Sequence, residues 1–401
     1  MTSGKVVLKK FISNRITNGH PYVYQNEIEN ESDNLMPGSI VDVFTFSRQY
    51  LGRGFYNPNS KIRIRLLTRK NEKIDRRFVE SVFHRALNIR RKYLSDTSVC
   101  RLFNSDADGI SGFILDKFCN TAVIQFNTFG AENLKDMIID IVDSIPDIDN
   151  IVEKSDTSSR VKEGLKPVYK VIKGNVGDRI AFSYRGIDFF HDFSDNDGIS
   201  FSIEQRDNSV IAAELCKNME RETDTKERIL DVFCNNGNFG MRMLEKHNCK
   251  ITFIDNSERA IEECKRLVSL NGFNEQNYIN DNAFDFLRDE TARGKKYFAV
   301  ILDPPSFTNA RSAKGNAMRG YKEVNLRGMK LLKDGGYLVT SSCSKAVSRE
   351  DFEMMIYSAS TDLGVDLCLV HRGGQSADFP IITNIFETEF LKFYIYRLRR
   401  R

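Results

Sequence analysis

Ile229-Leu230-Asp231-Val232-Phe233-Cys234-Asn235-Asn236-Gly237-Asn238-Phe239-Gly240 passes from an apolar run into a polar, glycine-bearing turn and then into a helical pattern. A short apolar run bounded by turn residues reads as a strand buried on both faces, and strand, glycine turn and helix together open a parallel α/β sheet. Three further strands follow, each ending on a polar or reactive group. Residues 250–254 lead to Asp255, residues 299–302 to Asp303-Pro304-Pro305-Ser306-Phe307, and residues 337–340 to Ser341-Ser342-Cys343-Ser344. Open α/β sheets bind ligands outside the carboxyl ends of their strands, so these groups are expected to share one crevice.

Composition sets the frame around that crevice. The chain has 401 residues, 41% hydrophobic and 28% charged, as expected of a globular protein with two or three domains. No apolar run is long enough to span a membrane, and no signal-peptide core is present at the N-terminus. The eight cysteines are scattered without a C-x-x-C pair or clustered histidines, which argues against a disulfide scaffold or a metal site and for a reducing cytoplasm. Cys100, Cys119, Cys216, Cys249, Cys264 and Cys368 read as buried, inert thiols. Residues 1–101 hold 19 Lys and Arg against 9 Asp and Glu, and the remainder 40 against 46. A basic front on a mildly acidic body points to a polyanion such as RNA.

Residues 1–70 alternate short strands with turns at Asn18-Gly19-His20-Pro21, Met36-Pro37-Gly38-Ser39 and Asn57-Pro58-Asn59-Ser60, the pattern of a small β barrel. Arg63 and Arg65 share one face of their strand, and His20 reads as a turn residue. A helix carrying Phe78, Val82, Ala86 and Ile89 has a basic edge of Arg85, Arg90, Arg91 and Lys92. A hairpin turns at Arg185-Gly186 and leads to Gln205-Arg206. The division expected is 1–70, 78–190 and 191–401.

Several segments bear a family resemblance. Residues 19–28 and 51–58 look like a PUA RNA-binding domain, with Tyr22 where Trp is usual. Arg101-Leu102-Phe103-Asn104…Asp108-Gly109, Glu153-Lys154-Ser155-Asp156 with Arg160 and Glu163, Asp303-Pro304-Pro305 and Phe386-Glu387-Thr388-Glu389-Phe390-Leu391-Lys392 resemble motifs of the bacterial 23S rRNA 5-methylcytosine methyltransferases that carry an N-terminal PUA domain. Departures fall at 196–203, ahead of Gln205-Arg206, and at Asn238, where that family has a second glycine. The resemblance implies a small PUA-like β barrel, a central α+β domain and an α/β Rossmann-like class I methyltransferase domain.

It also implies S-adenosylmethionine (SAM) as cofactor, held by Asp231, Phe233, Asn235, Gly237, Phe239, Asp255, Asn256, Asp281, Asn282 and Asp303. Asp255 would bind the ribose, and Asn282 or Asp281 the adenine. Cys343 would be the nucleophile and Asp303 the acid holding the cytosine edge, with Gln205, Arg206, Pro304, Pro305 and Phe307 against the substrate. Cys234 would line the site, and Lys314, Arg319 and Lys322 read either as phosphate contacts or as a solvated loop. The implied partner is large-subunit rRNA, with no metal and no membrane; a homodimer is one alternative for the assembly. Two rival readings stay open: methylation of a base nitrogen such as guanine N7, and an RNA-binding assembly factor whose site has decayed.

Overall fold

The computed structural model describes residues 4–193, 201–216, 227–308 and 311–401, so most of the departing segment 196–203 lies outside the described residues. The chain divides into two compact units, residues 1–180 with 377–388, and residues 181–376 with 389–401.

The first unit contains two sheets. Six strands run in the order Tyr22–Tyr24, Ile62–Thr68, Tyr50–Tyr56, Ile40–Phe44, Gly4–Leu8 and Ile28–Glu31. The small β barrel expected of residues 1–70 takes the form of this six-stranded sheet, with Tyr22–Tyr24 and Ile28–Glu31 as its two edges. Its second sheet, ordered Val168–Lys173, Asn150–Ser155, Thr121–Phe126, Phe113–Phe118 and Val99–Asn104, packs on the helix Arg76–Tyr93. That helix buries Val79, Val82, Phe83 and Ala86 in a core with Phe103, Phe113 and Phe126. The edge expected to be basic is interrupted. Arg91 and Lys92 are exposed, but Arg90 is buried and bridges both oxygens of Asp108 at 2.6 and 2.7 Å. Arg63 is likewise buried, and Arg65 donates to Glu163 at 2.7 Å while lying over the Tyr22 ring.

The second unit carries the sheet that the opening stretch announced. Its strands are β1 (Glu227–Val232), β2 (Cys249–Asp255), β3 (Asn277–Asn280), β4 (Tyr297–Leu302), β5 (Leu332–Ser342), β6 (Val365–Gly374) and β7 (Lys392–Arg400). They lie in the order β3-β2-β1-β4-β5-β7-β6. The first five are mutually parallel, and β7 inserts antiparallel between β5 and β6. The order reverses between β1 and β4, and there the carboxyl ends of the strands part to leave a crevice. Helices α1 (Arg206–Leu215), α2 (Asn238–Lys246), α3 (Glu258–Leu270), α4 (Ala283–Ala292), α5 (Lys314–Leu331) and α6 (Arg349–Leu363) complete the unit. Residues of α4, α5 and α6 form one core with β1, β4 and β5, in which Leu230, Val300, Leu302, Tyr321, Val324 and Leu338 are fully buried. Cys368, expected inside, is exposed on β6, because that strand forms the sheet edge; Cys119 is half-buried.

Candidate active site

The turn after β1 is wound tightly. Phe233, Asn235 and Gly237 all have positive φ, at 63°, 48° and 80°. Glycine takes that conformation freely and Asn tolerates it, but for Phe233 it is strained backbone of the kind that collects at functional sites. Gly240 is required for a different reason: a Cβ there would sit 2.2 Å from Cε1 of Phe253 on β2. Its amide donates to Oδ2 of Asp231 at 2.9 Å. Asp231 is buried, and burial pushes its carboxyl up to about 8, with the Gly240 amide opposing and the charges of Asp303 and Asp255 adding to the rise.

Asp255, at the end of β2, accepts from the backbone N–H of Asn235 at 3.0 Å and from that of Ser257 at 3.0 Å. Ser257 itself caps α3, so Asp255 is left free of the capping role. Its two oxygens are thereby fixed at the β1 turn, with lone pairs left for hydroxyl donors. Asn282 caps α4 by accepting from Phe284 and Asp285 and also lines the cleft, whereas Asp281 turns its Oδ1 to the Asn282 amide and stays outside the lining.

Asp303, at the end of β4, accepts at Oδ1 from Ser341 and from Nε2 of Gln205 at 2.7 Å. Gln205 is held in turn by Asn208, whose Nδ2 donates to its Oε1 at 2.7 Å. Desolvation by the cleft walls pushes the Asp303 carboxyl up to about 6, against the two hydrogen bonds that favour its charge. Cys343, just past the end of β5, is half-buried with Sγ 4.0 Å from the Pro304 carbonyl. Burial pushes its thiol up to about 12, the charges of Asp303 and Glu204 add to the rise, and Lys392 acts against it.

These groups line a cleft of about 450 Å³. Of the residues singled out in the sequence, Gln205, Asp231, Phe233, Asn235, Phe239, Asp255, Asn256, Asn282, Asp303, Pro304, Pro305, Phe307 and Cys343 line it, and so does Cys234. Gly237, Asp281 and Arg206 do not. Gly237 shapes the turn from behind, with Cys264 against its α-carbon, and Arg206 is buried with its guanidinium 5.8 Å from the Tyr184 ring. Phe307 both borders the cleft and packs on Tyr321, with ring centroids 4.5 Å apart. Lys314 and Lys322 are paired with Asp351 and Asp362. Asn238, noted in the sequence as a departure, also lines it, and so do Glu204, Asn236, Phe284 and Leu391, to which no role was given. For Glu204 the signal was its place beside Gln205, and for Leu391 its place in the 386–392 motif just ahead of β7. Among the described residues no cluster of side chains could hold a metal ion, and no helix is long and apolar enough to cross a membrane.

The donor set fits a nucleoside with a charged tail. A carboxylate after β2, a left-handed turn after β1 and a polar cap after β3 line the cleft together with Asp303 and Cys343. Comparison with known proteins agrees. Residues 6–69 match a PUA-like domain and residues 223–385 a methyltransferase domain. The chain is 32% identical over 396 residues to ribosomal RNA large subunit methyltransferase I of Alteromonas mediterranea, covering 97% of this chain and 98% of that one. It is 30% identical over 395 residues to the protein of that name from Pseudoalteromonas atlantica, again covering 97% and 98%. A methyltransferase structure complexed with SAH superposes with a TM-score of 0.81 at 15% identity, covering 98% of this chain and 99% of the other, a likeness of fold.

Proposed function

The chain belongs to the ribosomal RNA large subunit methyltransferase I family, and we propose that it methylates carbon 5 of a cytosine in large-subunit rRNA, with SAM as methyl donor and Cys343 as nucleophile. The observation that carries the reading is the convergence of Cys343 and Asp303, from adjacent strands, on the cleft that also holds Asp255. Asp255 would hold the ribose hydroxyls of SAM, the turn 233–239 its amino-acid end, and Asn282 and Asn256 the base. When bound, SAM supplies an electrophilic methyl group on a sulfonium.

The chain's own residues make carbon 5 of cytosine reactive. The Cys343 thiolate adds to carbon 6 of the ring, and the electron pair of the carbon 5–carbon 6 double bond becomes available at carbon 5. Asp303, oriented by Gln205 and Ser341, holds the ring nitrogen and exocyclic amine as charge develops there. After methylation a base removes the proton from carbon 5, and the thiolate leaves as the double bond re-forms. Ser306 stands after Pro304-Pro305, so release proceeds without a second cysteine there.

In this reading residues 1–70 serve RNA contact, 78–190 form the central α+β domain and 191–401 the catalytic one, and the protein acts on rRNA in the cytoplasm. The test is transfer of labelled methyl from SAM to naked large-subunit rRNA by wild type and Cys343→Ser. Label on carbon 5 of cytosine that disappears in the variant supports the reading. Label on a base nitrogen that survives the substitution overturns it.

A further inference from the structure

Lys392 is a buried ammonium for which the chemistry above has no use. It is 2% exposed, stands on β7 opposite Ser342 of β5, and donates from Nζ to the carbonyls of Ser344 at 2.6 Å and Phe390 at 2.8 Å. Neither acceptor carries a charge. A buried ammonium ordinarily takes a carboxylate partner or gives up its proton, and desolvation here pulls Lys392 down to about 8. Its hydrogen bonds go to carbonyls, while the charges of Glu389 and Asp351 support it through space and that of Arg349 opposes it, so a cation retained there is costly and the cost calls for a reason. Lys392 does not line the cleft, although its neighbour Leu391 does, so the ammonium acts through other residues and not on substrate. The residue it grips, Ser344, directly follows Cys343.

We propose that Lys392 is the positioning residue for Cys343: its ammonium anchors the Ser344 carbonyl, holding the thiol at the cleft, and supplies the positive charge that favours thiolate over thiol. The proposal rests on the reading of Cys343 as nucleophile. Three ionisable groups from three elements act most on that thiol. Asp303 at the end of β4 and Glu204 ahead of α1 oppose its ionisation, and Lys392 on β7 favours it. Two carboxylates against a thiol would leave little nucleophile, and Lys392 is the cation that offsets them. Lys392 forms no bond to substrate. The sulfur lone pair makes the bond to carbon 6, and the thiol proton is lost to solvent beforehand.

The test reads the thiol and not the reaction. The full-length protein is alkylated with iodoacetamide across a pH series, and modification of the Cys343 peptide is followed by mass spectrometry in wild type, K392M, K392Q and K392R. Exposed Cys368 serves as internal control. Removing the charge is expected to lower the Cys343 rate roughly tenfold at a fixed pH below about 8, where Lys392 holds its proton. K392R should stay close to wild type, and the Cys368 profile should not move in any variant. K392Q is read in place of K392M if the latter fails to give a wild-type thermal transition. A folded uncharged variant with an unshifted Cys343 profile overturns the proposal, whatever its methyl-transfer activity. Persistence of that activity in Cys343→Ser would instead sink the nucleophile reading while leaving the alkylation result to stand by itself.

Discussion

Asp303 ionises near pH 6 because the cleft strips water from it, and Ser341 and Gln205 pull the other way by bonding its charged form. The protonated carboxyl is the state that donates to the ring nitrogen while its other oxygen accepts from the cytosine amine, so this contribution to kcat/KM should fall as pH rises through about 6. Ser341→Ala removes a bond that favours the charge, which raises the carboxyl further and should move this descending limb to higher pH by about one unit. A pH–rate profile of the variant checks the sign, and a limb that stays in place would mean that another group sets it. The linkage to stability runs in the same direction: a carboxyl raised above its unfolded value contributes stability below that value and loses it as pH rises through 6. Residue types at the site were legible in the sequence wherever a strand end could be read, as at Asp255, Asp303 and Cys343. Bonds between them were not. That Gln205 orients Asp303, and that Arg206 turns away toward Tyr184, depends on side-chain direction around a helix start, which no local pattern encodes.

At the scale of elements, the β1 turn is the part most tightly specified. Gly240 lies within α2, where Ala would ordinarily be favoured by about 1 kcal/mol. Here the added Cβ meets the Phe253 ring at 2.2 Å, and overpacking of a closed core costs about 1–3 kcal/mol. Gly240→Ala should therefore destabilise the protein in chemical denaturation, and a neutral or stabilising result would show that Phe253 yields. The buried parallel strands announced themselves as apolar runs with polar ends. Tyr50–Tyr56 did not, because Gly52 and Gly54 interrupt it; each gives way to backbone across the ladder, at the carbonyls of Thr68 and Arg65. Strand β3 was also hidden: four residues, Asn-Tyr-Ile-Asn, make too short a run to stand out.

Across the whole molecule, residues 377–388 rejoin the first unit from the far end of the sequence. Asp378 is fully buried there; its Oδ2 accepts from the Arg101 amide at 2.7 Å, and its carbonyl accepts from Arg90 at 2.7 Å. Asp378→Ala removes the carboxylate that accepts from this part-buried amide and should cost about 1 kcal/mol in denaturant unfolding, with the cleft of the second unit unaffected. The return was invisible in sequence because its partners lie 277 and 288 positions away. His20 illustrates the same limit: read as a turn residue, it is buried and meets Glu387, 367 positions on. The basic balance of residues 1–101 was legible as a count but not as a surface. Arg53, Arg65, Arg90 and Arg101 are engaged with Asp42, Glu163, Asp108 and Asp116, while Lys9, Lys10, Arg48, Arg77, Arg91 and Lys92 remain exposed.

The central claim is a covalent bond between Cys343 and cytosine, and the most direct measurement is capture of that bond. With 5-fluorocytidine in the rRNA, fluorine replaces the proton that must leave carbon 5, so the adduct accumulates after methyl transfer. The account predicts an RNA–protein complex that survives denaturation, requires SAM, maps by mass spectrometry to Cys343 and is absent in Cys343→Ser. Transfer of methyl to unsubstituted rRNA by Cys343→Ser at the wild-type rate, with no adduct from either protein, would contradict it.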